Sequence, residues 1–143
     1  MKNIGYKIVL CSKLLKNKLN RELEVLGITA SQFAVIKDIE MNSLDNKIVT
    51  AVAISERLDM DKPTISAIIK RLTSKGYIKK EVHPTDKRSC ILLLTKECID
   101  KLSIFEESNK KAILSAVSDI DDEKINLFEN VLDDMILNLK GEA

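Results

Sequence analysis

Apolar positions along the chain fall into stretches of helical spacing, interrupted once by alternation. In residues 3–26, Ile4, Ile8, Cys11, Leu15, Leu19, Leu23 and Leu26 recur at three- and four-residue steps. That spacing predicts one amphipathic helix, which Gly27 stops. Thr29 caps a second helix. Gln32 completes a capping box, Ile28 and Phe33 sit at the staple positions, and Val35, Ile36 and Ile39 form the stripe. This helix is expected to end near Asn42, before a polar loop over residues 42–47. Residues 48–50 read as a small strand. Thr50 also caps a short third helix over 51–58, with Val52, Ile54 and Leu58 turned inward. After the tight connection Asp59-Met60-Asp61, Pro63 suits the first turn of a fourth helix, where an N–H has no helical partner. Asp61 is its expected cap, Ile65, Ile68, Ile69 and Leu72 its stripe, and Gly76 its stop.

The period then changes to two. Residues 77–82 and 90–94 read as strands, and the polar run His83-Pro84-Thr85-Asp86-Lys87-Arg88-Ser89 between them makes a hairpin with a charged tip. Helical spacing returns from Thr95 to about Val117 through Ile99, Leu102, Phe105, Ile113 and Ala116. It resumes after Asp121 through Ile125, Phe128, Leu132, Met135, Ile136 and Leu139. The predicted class is mainly α with a small β-wing and about six helices.

Composition agrees. At 143 residues the chain fits one domain, and four Gly with two Pro are too few for a sandwich or barrel. Aromatics are 3% with no Trp, so an aliphatic core is expected. Net charge is only +1, which by itself argues against a nucleic-acid binder. Its distribution reverses that. From Asp59 to Ser89 eight cations oppose four anions, a net of +4; from Val117 to Ala143 two oppose eight, a net of −6.

Three irregularly spaced Cys, no secretory signal and no long apolar run predict a cytoplasmic protein with reduced thiols and no membrane partner. One His, and no Cys or His pair at ligand spacing, gives no reason to expect a metal or other cofactor. No phosphate loop or nucleophile motif points to an enzyme.

Short helix, turn, longer helix and hairpin, in that order, make a winged helix-turn-helix. With the fourth helix's stripe turned inward, its other face carries Pro63, Thr64, Ser66, Ala67, Lys70 and Arg71. Small residues let a helix approach base edges in the major groove. Thr64 and Ser66 can bond bases or phosphates. Lys62, Lys70 and Arg71 can neutralise phosphates, and Arg71 alternatively can read a guanine. At the hairpin tip Arg88 suits a narrow minor groove, Lys87 a phosphate, and Asp86 is placed to clamp the Arg88 guanidinium.

These residues resemble the multiple-antibiotic-resistance regulator (MarR) family of bacterial transcription factors. The resemblance is carried by Asp61-Lys62-Pro63-Thr64-Ile65-Ser66, Lys70-Arg71-Leu72, Gly76-Tyr77-Ile78, Asp86-Lys87-Arg88 and Leu94-Thr95. Lys80 departs from the Arg often found there. The resemblance implies a homodimeric DNA-binding repressor that reads a pseudo-palindromic operator and is released by a small lipophilic or phenolic effector. It implies a DNA-binding lobe over 29–95 and a dimerisation layer over 1–28 and 96–143, with Ile4, Ile8, Leu15, Phe128, Leu132, Ile136 and Leu139 at the dimer face. A first helix of about 24 residues, roughly 36 Å long, permits this.

Two alternatives stand beside that reading. One is a thiol-based redox sensor of the same fold, for which Cys11 is the candidate; its place on the apolar stripe favours a packed, inert thiol. Cys98, in the first turn of the fifth helix, is likewise read as packed and His83 as a surface residue. The other is a winged protein-interaction module that does not bind DNA.

Overall fold

The computed structural model describes residues 1–141. Glu142 and Ala143, the end of the expected acidic tail and of the 96–143 layer, lie outside the described residues. The elements run α1 (Ile4–Glu24), α2 (Ala30–Leu44), α3 (Ala51–Arg57), α4 (Lys62–Ser74), β1 (Ile78–Val82), β2 (Cys90–Leu94), α5 (Lys96–Ala116) and α6 (Asp122–Gly141). This is the expected class, six helices with a two-stranded antiparallel wing.

The helix starts are written in side chains. Thr29 Oγ1 accepts the Gln32 N–H at 3.1 Å while Gln32 Oε1 accepts the Thr29 N–H at 3.2 Å, closing the capping box. Thr50 Oγ1 accepts from Ala53 N at 3.2 Å and Thr95 Oγ1 from Cys98 N at 3.2 Å. At the far end of α4, Gly76 has φ +79, which an L side chain rarely adopts. Gly76 N donates to Thr73 O and Tyr77 N to Leu72 O, so the helix closes as its chain reverses into β1. Thr95 then ties α5 to the same corner, its Oγ1 donating to Gly76 O at 2.6 Å and its N to Tyr77 O at 3.0 Å. The root of the wing is therefore pinned from both sides.

The core joins Leu23, Phe33, Val35, Ile36, Ile39, Val49, Ile54, Ile65, Ile69, Leu72, Ile78, Leu92, Cys98 and Phe105. It is less purely aliphatic than expected. Three of the five aromatic residues converge, Phe105 meeting Phe33 edge-on at 6.5 Å and Tyr77 at 5.8 Å. Aromatic scarcity in the composition hid their concentration at one junction of α2, α5 and the wing.

Several local expectations are corrected. Residues 48–50 form no strand; Val49 contributes a single bond, its carbonyl accepting from Leu92 N at 2.9 Å. Helix α2 runs on to Leu44, and Val52 is exposed. In α5 the buried residues are Cys98, Phe105 and Ala112, leaving Ile99, Ile113 and Ala116 exposed. Phe105 is buried and Leu102 packs against the core as expected, but at the two ends of the helix the inward positions are Cys98 and Ala112, one step before Ile99 and Ile113.

The larger departure concerns α1 and α6. Only Leu23 of α1 is buried, and no residue of α6 is. Ile4, Ile8, Phe128, Ile136 and Leu139 are exposed, while Leu15 and Leu132 are half-buried. The stripes exist, but one copy of the chain leaves them without a covering surface. Cys11 shares this fate: it is exposed, not the packed thiol expected.

Candidate nucleic-acid interface

Helix α4 is set by its cap. Asp61 accepts the Thr64 N–H at 2.7 Å, and that backbone bond holds the Asp61 carboxyl below its usual range. Pro63 lies in the first turn, as expected. The preceding turn is reached through Asp59, which takes φ +51, with Met60 N donating back to Ser55 O. An aspartate tolerates this left-handed conformation better than most residues.

Capping and burial fix the rotation of α4. Ile65, Ile68, Ile69 and Leu72 are buried, so Lys62, Pro63, Thr64, Ser66, Ala67, Lys70 and Arg71 are all exposed. The face expected from the sequence is the face presented.

The wing pairs Ile78 with Leu94 through to Val82 with Cys90, and residues 83–89 form its tip, with Lys87 and Arg88 exposed. Asp86 does not clamp the Arg88 guanidinium. Its Oδ1 accepts the Arg88 backbone N–H at 3.0 Å and its Oδ2 the Ser89 hydroxyl at 3.2 Å. A short side chain two residues away reaches the backbone amide more readily than the end of a long arginine. The guanidinium is left free.

A recess of about 250 Å³ joins the two parts. Thr50 and Ala51 at the start of α3, Ser66 and Ile69 of α4, and Lys80, Arg88, Ser89 and Cys90 of the wing line it. Helix α4 and the wing thus share one concave surface. Thr50, Lys80 and Ser89 were not among the expected site residues. The alternation of β1 was the available signal for Lys80, since it sends that residue to the same side as Ile78 and Val82.

Charge on this surface is unpaired. Among the described residues, Lys62, Lys70, Arg71, Lys80, Lys87 and Arg88 form no ion pair. The pairs that do form are Lys18–Glu22, Lys37 with Glu40 and Glu106, Arg57–Asp38 and Lys101–Glu97.

The thiols divide similarly. Cys98 is buried, and burial pushes it up to about 11, against the lowering that its place at a helix start would favour. Cys11 and Cys90 are exposed. Cys11 borders two grooves. One, of about 470 Å³, lies between α1 and α5; the other, of about 380 Å³, lies between α1 and α6 and is lined by Ile8, Leu15, Leu19, Phe128 and Leu132. No cluster of His, Cys, Asp and Glu able to hold a metal occurs among the described residues, and no helix there is long and apolar enough to cross a membrane.

Residues 26–89 match the MarR family, a segment running from the end of α1 through the wing tip. The chain is 30% identical over 92 residues to the multiple antibiotic resistance protein MarR of Salmonella typhimurium, covering 64% of this chain and 61% of that one. The whole chain superposes on a MarR transcriptional regulator from Methanosarcina mazei Go1 with a TM-score of 0.88 at 21% identity, covering 100% of both. It also superposes on S. aureus MepR, solved in complex with DNA, with a TM-score of 0.81 at 23% identity, covering 94% of this chain and 97% of that one.

Proposed function

We propose that the chain is a MarR-family winged helix-turn-helix transcriptional regulator that acts as a sequence-specific, dimeric DNA-binding repressor. Residues 29–95 form the DNA-binding lobe, and 1–28 with 96–143 the dimerisation layer. The observation that carries this reading is the shared recess of α4 and the wing, lined by Lys80 and Arg88, which form no ion pair among the described residues. Thr64, Ser66, Ala67 and Arg71 enter the major groove, Lys62, Pro63, Lys70 and Lys87 follow the phosphates, and Arg88 enters the minor groove. Asp86 supports the wing by fixing the backbone beneath Arg88.

A second copy covers the open faces of α1 and α6. Ile4, Ile8, Leu15, Phe128, Leu132, Ile136 and Leu139 form too large an apolar surface to leave in water. A two-fold pair then reads a pseudo-palindrome with half-sites about one helical turn apart. The acidic end of the chain keeps this layer away from phosphates. A small lipophilic or phenolic effector, bound between the dimerisation layer and the DNA-binding lobe, releases the operator.

Selection of bound duplexes from a random pool tests the reading. A palindromic enriched site is expected; absence of any saturable selection at moderate salt overturns it in favour of a protein-interaction module. A sedimenting species of twice 16.1 kDa is expected beside it.

The exposure of Cys11 favours a second, redox reading. Its thiol borders the two grooves beside α1, where a covalent adduct would disturb the dimer face. Oxidant-induced loss of binding, reversed by reductant and absent in Cys11→Ser, is the expected mark of that switch. Unchanged binding on oxidation rejects it.

A further inference from the structure

The only histidine of the chain sits where the wing tip begins, between Val82, the last residue of β1, and Pro84. It is half-buried. Its Nδ1 accepts the Asp86 N–H at 3.0 Å and the Thr85 N–H at 3.2 Å. Thr85 Oγ1 lies 3.4 Å from the same atom. Pro84 has no N–H of its own, so the ring nitrogen takes the next two amides. Asp86, held in this way, accepts the Arg88 N–H at 3.0 Å, and Ser89 N donates to Asp86 O at 3.1 Å. His83, Asp86 and Arg88 form one relay from the end of β1 to the tip.

We propose that His83 is the positioning residue of the wing: its neutral ring, accepting at Nδ1, holds the tip in the shape that presents Arg88 to DNA. This rests on the reading of the wing as a DNA contact. The tautomer follows from the partners. A backbone N–H only donates, so the atom facing two of them carries a lone pair and the ring proton lies on Nε2. Protonation turns Nδ1 into a donor opposed to two donors, and both bonds are lost.

The charged groups of the hairpin are Lys79, Lys80, Glu81, Asp86, Lys87 and Arg88, with Cys90 across from Val82, and α4, the helix packed against β1, carries Lys62, Lys70 and Arg71. The Asp86 carboxylate is engaged by Arg88 N and Ser89 Oγ, so it does not serve the ring. The sign of the effect separates this role from the ordinary one. A histidine that merely adds surface charge strengthens DNA binding as pH falls. A histidine that tethers the wing weakens it.

The test uses the full chain and the duplex obtained by selection. Affinity is measured at constant ionic strength between about pH 5.5 and 8 for wild type, His83→Ala and His83→Asn. Asparagine places a non-titrating acceptor where Nδ1 stands. Wild-type affinity should fall about fivefold on acidification, the effect of losing one to two net hydrogen bonds. His83→Ala should be weak and flat with pH, and His83→Asn tighter than alanine and flat. Nitrogen NMR of the free protein should give the Nε2-protonated tautomer at neutral pH, with the Thr85 and Asp86 amides moving as the ring titrates. An Nδ1-protonated ring, wild-type binding that tightens on acidification, or alanine and wild type binding alike overturns the proposal. If no variant selects any duplex, the DNA reading fails, while the NMR titration still decides whether His83 holds the tip.

Discussion

Asp38 and Arg57 meet side by side, Arg57 Nε donating to Oδ1 at 2.9 Å and Nη2 to Oδ2 at 2.8 Å. This two-pronged bond ties α2 to α3, the first helix of the helix-turn-helix. Asp38 is only 8% exposed, whereas the Arg57 side chain retains 33% of its exposure. The same arginine's carbonyl accepts from Lys140 near the end of α6, at 3.4 Å. Asp38→Ala leaves a half-buried guanidinium without its partner. A loss on the order of 2 kcal/mol in urea unfolding is expected, below the figure for a fully buried pair because water still reaches Arg57. A loss under about 0.5 kcal/mol would mean that packing alone positions α3.

The free cations at the interface predict two separable effects on DNA binding. Arg88→Ala should cost roughly tenfold or more in affinity with little change in melting temperature, because its guanidinium forms no ion pair among the described residues. Lys70→Ala should weaken binding to all sequences alike and reduce the slope of log affinity against log salt by about one unit. Titrations at several salt concentrations check both. An unchanged affinity for Arg88→Ala places the wing off the DNA.

The face of α4 was legible in the sequence because a cap, a proline and an apolar stripe all fixed the same rotation. The corner at Gly76 was legible for the same reason, a glycine meeting a change of period. What stayed hidden depends on partners distant in sequence. Nothing local marks Asp38 as the mate of Arg57, 19 residues on, or sends Phe33, Tyr77 and Phe105 to one point. Spacing also cannot separate a stripe buried within one copy from a stripe awaiting another. Ile8 and Phe128 read like core positions and are exposed. From its sequence His83 reads as a surface residue, because its bonds are to backbone amides, which carry no residue-type signal.

The cap of α4 carries a pH dependence with a definite sign. The Asp61 carboxyl is held below its ordinary value of 3.8, first by the Thr64 backbone N–H and then by the Thr64 hydroxyl. A carboxyl lowered in the folded state contributes stability that is fully present above its unfolded value and lost as pH falls through the lowered folded one. Wild type should therefore exceed Asp61→Ala in stability at neutral pH, and the gap should narrow as pH falls below 3.8. Paired thermal melts between neutral and acid pH measure it. A gap that does not change with pH would show that the cap acts without its charge.

Thiol labelling reads the core and the open face of α1 in one experiment. Cys98 is buried and raised to about 11 by that burial, so almost none of it is thiolate near neutral pH. It should react with a maleimide only after denaturation. Cys90, exposed at the start of β2, should label at once. Cys11 is the informative one. In a single copy it is exposed beside Leu15 and Phe128, so in dilute protein it should label nearly as fast as Cys90. If a second copy covers α1 and α6, its rate should fall as protein concentration rises, while that of Cys90 stays constant. The concentration at half-protection then gives the dimer dissociation constant. A Cys11 rate independent of concentration, in a sample that sediments as a dimer, would place the dimer face elsewhere on the chain.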